Sequence, residues 1–288
     1  MLDGRFPQRI KRLAGKARYY NSNSSPYLSG DAFADLCDFN FQPPRFRRFL
    51  QHTQIEQAKT LFCPSHLLEE FLSIYGDRIA GRVLIIGNSD RDFESFELPL
   101  PPSIKTVLIQ NLGFKSDSLR VLPIGIENRR LDFNGRPENF NVKYVFKEKV
   151  NRVLIGPFAQ SHPERNFINE FKDYDADKLE INQERLSPHE YAEISSNFKF
   201  IACPRGNGID THRFWESLYR GSIPIVKVSD WSQNLTPLNL PFVEIDNWNK
   251  ENLQDVVENS KIGSFNPIDI EALWIPFWKA IISSEAQQ

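Results

Sequence analysis

Short apolar runs of strand length recur along this chain, and polar or glycine-bearing stretches follow most of them. Leu61–Cys63, Val83–Ile86, Thr106–Ile109 and Val121-Leu122 form a first set. Val153–Ile155, Leu179–Ile181, Phe198–Ala202, Ile223–Val226 and Phe242–Ile245 form a second. Helical patterns fall between them. They cover Leu67–Tyr75 ending near Gly76, a stretch reaching about Phe171, Ser187–Ser195 opened by Ser187-Pro188, and Lys250–Asn259. A last helix is expected over Ile270–Ile282 with a kink at Pro276, where proline lacks the amide donor. Buried strands alternating with helical crossovers predict an α/β protein with parallel sheets. Asp31–Phe39 is ambiguous, and the RFRRF stretch at 45–49 reads as either a basic rim or an amphipathic helix. Asp132–Lys149 is polar, with Gly, Pro and several Asn, and reads as a linker between domains 1–140 and 141–288.

The most informative segment is Phe198–Val226, FKFIACPRGNGIDTHRFWESLYRGSIPIV. An apolar strand is broken by Cys203-Pro204-Arg205-Gly206-Asn207-Gly208. Asp210 or Thr211 then suits a helix N-cap, and the helix runs to about Arg220. Gly221 suits the left-handed position after a helix, and Ile223 starts the next strand. A helix start after such a loop offers unpaired backbone N–H groups to an anion such as a diphosphate. Arg213 and Glu216 are three residues apart and share a face. An Arg can fork onto phosphate oxygens, and a Glu one turn on can accept from the hydroxyls of a ribose. An exposed surface ion pair is the plainer alternative for these two.

The stretch CPRGNGIDTHRFWESLYRGSIPIV resembles the donor-binding motif of exostosin-like glycosyltransferases and their bacterial relatives. Fucosyltransferases of the same GT-B fold place comparable charges similarly. The resemblance is strong over about thirty residues, with weaker support from about Phe62 to Ile262. It implies a GT-B fold, two Rossmann-like domains with parallel sheets facing across a cleft. The first would bind the acceptor and the second a UDP- or GDP-linked sugar, with the last helix crossing back to the first domain. The implied activity is metal-independent transfer of a sugar to a hydroxyl of a glycan or lipid-linked oligosaccharide. No cofactor beyond the donor substrate is implied. Donor-binding candidates are Arg165, Arg205, Gly206, Asn207, Gly208, Asp210, Thr211, His212, Arg213 and Glu216. A non-catalytic GT-B-like protein that binds a glycan or a partner enzyme is the alternative. A dinucleotide-dependent dehydrogenase fits poorly, because RGNGID lacks the third glycine of that fingerprint and sits late in the chain.

Composition narrows the setting. A net charge of −2 over 288 residues gives no general attraction to nucleic acid. Three widely spaced cysteines, at 37, 63 and 203, make no disulfide framework or zinc pattern. No apolar run reaches the roughly 18 residues of a membrane span. The expectation is a cytoplasmic enzyme, unlike the Golgi-membrane members of the resembled family. The basic stretch at 5–18 reads either as a membrane-surface helix giving peripheral contact at the inner membrane face or as a basic helix docked on its own domain.

Ligands of open α/β sheets bind at the carboxyl ends of strands. That rule selects Asn88–Asp90, Gln110-Asn111, Gly125–Asn128, Gly156–Arg165 and Arg205–Glu216. Asp90 is the first candidate for the base that takes a proton from the acceptor hydroxyl, and Glu127 the second. His162 reads as a loop residue. DYDAD at 173–177 contains Asp-x-Asp but reads as a solvated acidic loop. No metal ligand is assigned.

Overall fold

The computed structural model describes residues 24–43, 54–131, 133–140, 144–171 and 177–288. The basic stretch at 5–18, RFRRF at 45–49 and all of DYDAD except Asp177 lie outside them.

The first half holds a short helix α1 (Gly30–Ala34), β1 (Phe39–Asn40), β2 (Thr60–Pro64), helix α2 (Leu68–Tyr75), β3 (Val83–Gly87), β4 (Thr106–Ile109) and β5 (Leu119–Val121). The second holds β6 (Val150–Ile155), a 3-10 segment Pro163–Phe171, β7 (Leu179–Ile181), α3 (Pro188–Ser195), β8 (Phe198–Ala202), α4 (His212–Tyr219) and β9 (Ile223–Lys227). It continues through α5 (Asp230–Asn234), β10 (Val243–Ile245), α6 (Lys250–Asn259) and α7 (Ile275–Glu285). Each set of five strands forms one wholly parallel sheet, an α/β architecture consistent with two Rossmann-like units.

The two sheets are wound differently. The first runs in sequential order, β1-β2-β3-β4-β5. The second runs β7-β6-β8-β9-β10, so its order reverses between β6 and β8. Loops leaving those two strands at a reversal diverge and leave a crevice, where ligands of such sheets bind.

Period-two burial explains the layering. In β3, Leu84 and Ile86 face a core with Leu68 and Phe71 of α2, while Val83 and Ile85 face the other way. In β6, Val153 and Ile155 pack with Leu253 and Val256 of α6, while Leu154 faces the other way. The inward faces of both sheets meet in one central core. It contains Phe33, Phe214, Trp215, Tyr219 and Trp278, all at most 2% exposed. Last helix α7 packs on the first half: the Trp278 ring meets Phe33 edge-on, and Glu285 accepts from Thr106 and pairs with Arg120.

Two details differ from expectation. The last helix begins at Ile275, with Pro276 in its first turn; the proline needs no kink there because the first-turn amides have no helical acceptor. The stretch reaching Phe171 is 3-10 rather than α-helical. Within the linker stretch, Phe140 is 2% exposed and lies against Tyr27 and Tyr219.

Candidate functional site

The strand-to-helix unit after β8 forms as the sequence indicates. Thr211 is the N-cap of α4, without a side-chain cap bond, and Gly221 follows the helix with φ +70°. Phe214, Trp215 and Leu218 are fully buried. Arg213, Glu216 and Arg220 occupy spacing i, i+3, i+7, one helical face, and all three line a cleft of about 790 Å3. Arg220 was missed as a site residue, although that spacing carries the signal.

The cleft takes residues from both halves. Arg165, Gly206, Asn207, Gly208, Asp210, Thr211, His212 and Arg213 line it from the loops and helix after β6 and β8; Asp90 and Ile124 come from the first half. The cleft therefore opens at the reversal of the second sheet.

Arginines dominate its electrostatics. The Arg165 Nε donates to the Arg205 carbonyl at 2.9 Å, and its Nη1 to the Ala159 carbonyl at 3.1 Å. Burial and then the nearby Arg213 charge lower the Arg165 pKa to about 10. The Arg213 guanidinium lies between the rings of Phe158 and Tyr191, 4.8 and 4.7 Å from their centroids. Its Nη2 donates to the Pro157 carbonyl at 2.6 Å. Glu216 is 7% exposed and pairs with Arg220 at 3.5 Å. Two cations brought together by the fold repel each other, and an anion between them relieves that repulsion.

The rest of the RGNGID loop is fastened to the first half. The Arg205 guanidinium pairs with Asp92, which also accepts the Ile209 N–H at 2.6 Å. Asn207 donates to Asp90 at 3.1 Å, and a His212 ring nitrogen meets the Gly125 carbonyl at 2.8 Å. A Cβ at Gly206 would lie 2.8 Å from an Arg165 nitrogen, and one at Gly208 2.5 Å from the Asn111 side-chain oxygen. These glycines admit protein side chains as closely as the sequence reading expected a ligand. Asp92 and Asn111 are thus the loop's receptors; Asn111 was flagged only as a strand-end residue, and Asp92 was missed.

Asp210 is 2% exposed and accepts from the Ile124 N–H at 2.8 Å and the Trp215 indole at 2.8 Å, while its own N–H donates to Asn111. Burial pushes its carboxyl up to about 7, against the pull of those donors. The folded chain then holds a proton that an unfolded Asp, with pKa near ~3.9, has lost. This residue's contribution to stability therefore falls as pH rises from about 4 to about 7. Asp210→Asn leaves one buried N–H unpaired and is expected to cost about 1–3 kcal/mol at pH 5. The cost should be smaller at pH 8, where the native carboxylate bears its own burial penalty. Urea unfolding at both pH values reads this; an equal cost at both would contradict it.

Glu127 does not line the cleft. Its carboxylate accepts from the Asn134 and Gly135 backbone amides at 2.7 and 3.4 Å and closes a turn in the linker. Among the described residues, no three His, Cys, Asp or Glu side chains group as metal ligands do, and no helix is long and apolar enough to cross a membrane.

No protein-family model matches the chain. The chain is 31% identical over 127 residues to an Exostosin-1 homolog of Caenorhabditis elegans; the match covers 43% of this chain and 31% of that protein. The chain thus spans less than a third of the curated relative it matches. The similarity supports, at most, an exostosin-like relationship.

Proposed function

We propose that this chain is a glycosyltransferase of GT-B type, moving a sugar from a UDP- or GDP-linked donor to an acceptor hydroxyl of a glycan or lipid-linked oligosaccharide. The observation that carries the reading is the approach of Arg165 and Arg213 inside the cleft, at the reversal of the second sheet and beside the start of α4. The partial exostosin similarity supports it.

The roles follow from charge and position. Arg165 and Arg213 receive the negative charge that develops on the diphosphate as the sugar's bond to it breaks. Glu216, held by Arg220, accepts from the ribose hydroxyls. Asp90, entering from the first half, takes the acceptor hydroxyl's proton as the new glycosidic bond forms. Fixed guanidiniums supply the neutralising charge that a metal ion gives elsewhere, so transfer proceeds without one.

The test is a thermal-shift screen of UDP, GDP, CMP and their sugars, with and without EDTA, followed by transfer assays. A ligand at 100 times its dissociation constant adds about 2.7 kcal/mol, a readily measured shift. UDP or GDP compounds are expected to stabilise the protein in EDTA, and the 2′,3′-dideoxy nucleotide to bind more weakly. No shift with any nucleotide would sink the reading. Undiminished dideoxy binding would remove the role of Glu216, and activity lost in EDTA and restored by Mn²⁺ would remove metal independence.

A further inference from the structure

Buried polar side-chain atoms without a hydrogen-bond partner are rare in folded proteins, and each one calls for an explanation. Three of them belong to residues lining this one cleft: the hydroxyl of Tyr191, Nη1 of Arg213 and Nη1 of Arg220. The two guanidinium nitrogens can only donate and the hydroxyl can donate. Nη1 of Arg220 has the Glu216 carboxylate at 3.5 Å, whereas the Tyr191 hydroxyl and Nη1 of Arg213 are left for an acceptor.

Their arrangement is compact. The Tyr191 ring, carried on α3, lies between two guanidiniums, with the Arg213 carbon 4.7 Å and the Arg220 carbon 5.5 Å from its centroid. Arg213 also lies over the Phe158 ring, 4.8 Å from its centroid. Two aromatic rings within cation–π distance take up much of the space around the guanidinium and strengthen the contact as they exclude water. One guanidinium nitrogen is already used by the Pro157 carbonyl, and Nη1 remains. Arg220 has Glu216 beside it at 3.5 Å, and its Nε donates to the Asn139 carbonyl at 3.2 Å. Arg165, Arg213 and Arg220 line the cleft together with Asp90, Asp210 and Glu216, and of these carboxylates Glu216 is the one paired with Arg220.

We propose that Tyr191 binds phosphate: its hydroxyl and Nη1 of Arg213 form a two-donor seat for the anionic oxygens of the nucleotide's diphosphate. This rests on the donor-binding reading above and adds a residue to it. A tyrosine that only packed the arginines would need its ring and not its hydroxyl, and leaving that hydroxyl buried and unpaired would cost stability.

Tyr191→Phe separates the two. It keeps the ring on both guanidiniums and deletes the oxygen. Without ligand, the melting temperature is expected to stay level or rise slightly. UDP and GDP, measured by calorimetry, are expected to bind about 10- to 100-fold more weakly, the range for a hydrogen bond to a charged group. Uridine and guanosine should bind as to wild type, and inorganic pyrophosphate should lose affinity with the nucleotides. Equal UDP and GDP affinity in variant and wild type would overturn the seat while leaving the donor reading intact. Equal losses for nucleosides and diphosphates would also overturn it. Failure of the wild type to bind either nucleoside diphosphate or pyrophosphate would overturn both.

Discussion

Asp90→Asn is expected to lower sugar transfer by about 10²–10⁴-fold, the range for loss of a general base, with donor affinity near wild type. Asp90 follows β3 at the carboxyl end of the first sheet, is exposed, and lines the same cleft as Arg165 and Arg213. It accepts from Asn207 at 3.1 Å, so Asp90 and the RGNGID loop share a contact across the two halves. Asparagine keeps the size and an oxygen for Asn207 but cannot take the acceptor's proton. Glu127→Gln is the internal comparison. Its carboxylate closes the linker turn through backbone amides, so the substitution should weaken that turn and leave the chemistry in place. Wild-type transfer rates in Asp90→Asn would remove the assignment, and a large loss confined to Glu127→Gln would move it. Loss in neither would favour a retaining transfer without a dedicated base.

Much of the secondary structure could be read from the chain because short-range signals agree there. Lys250–Asn259 forms the expected helix, capped by Asn249, and Ser187-Pro188 opens α3 with a reciprocal capping box. The second unit's strands are apolar runs punctuated by Gly or Pro, and they lie where the pattern put them. The helix after RGNGID was readable to within a residue, because Thr211 and Gly221 mark its two ends.

What could not be read depends on contacts distant in sequence. Nothing local says that Leu154 and Val83 point into one shared core, or that Asp92 and Asn111 receive a loop more than ninety residues away. Tyr191 escaped for the same reason. In sequence it is an aromatic residue on an amphipathic helix, usually a packing residue. Only the fold sets its ring between Arg213 and Arg220. The 3-10 geometry of Pro163–Phe171 was also hidden, since Phe167, Ile168 and Phe171 satisfy a helical spacing as well.

Arg213→Ala is expected to weaken UDP or GDP binding by about 1.5–3 kcal/mol, the scale of a hydrogen bond between charged groups. That is roughly 10- to 150-fold in affinity. The loss should exceed that of Arg165→Ala, because Arg165 already spends two donors on the Arg205 and Ala159 carbonyls. Arg213 spends one on Pro157 and leaves Nη1 without a hydrogen-bond partner. Removing it also ends the electrostatic repulsion on Arg165, so the ligand-free fold should not suffer from the lost charge itself. The contacts of Phe158 and Tyr191 with the guanidinium do disappear, and each such contact is worth about 0.5–1 kcal/mol where solvent reaches it and about 2 kcal/mol or more where it does not. The ligand-free melting temperature should therefore fall, and nucleotide binding, compared at a temperature where the variant is folded, should fall sharply. Arg213→Lys sharpens the reading. A lysine keeps the charge but not the planar fork, so binding should be restored only in part. Calorimetry with UDP and GDP decides the matter: equal affinity in wild type and Arg213→Ala would take Arg213 out of the site, and full recovery in Arg213→Lys would reduce its role to that of a point charge.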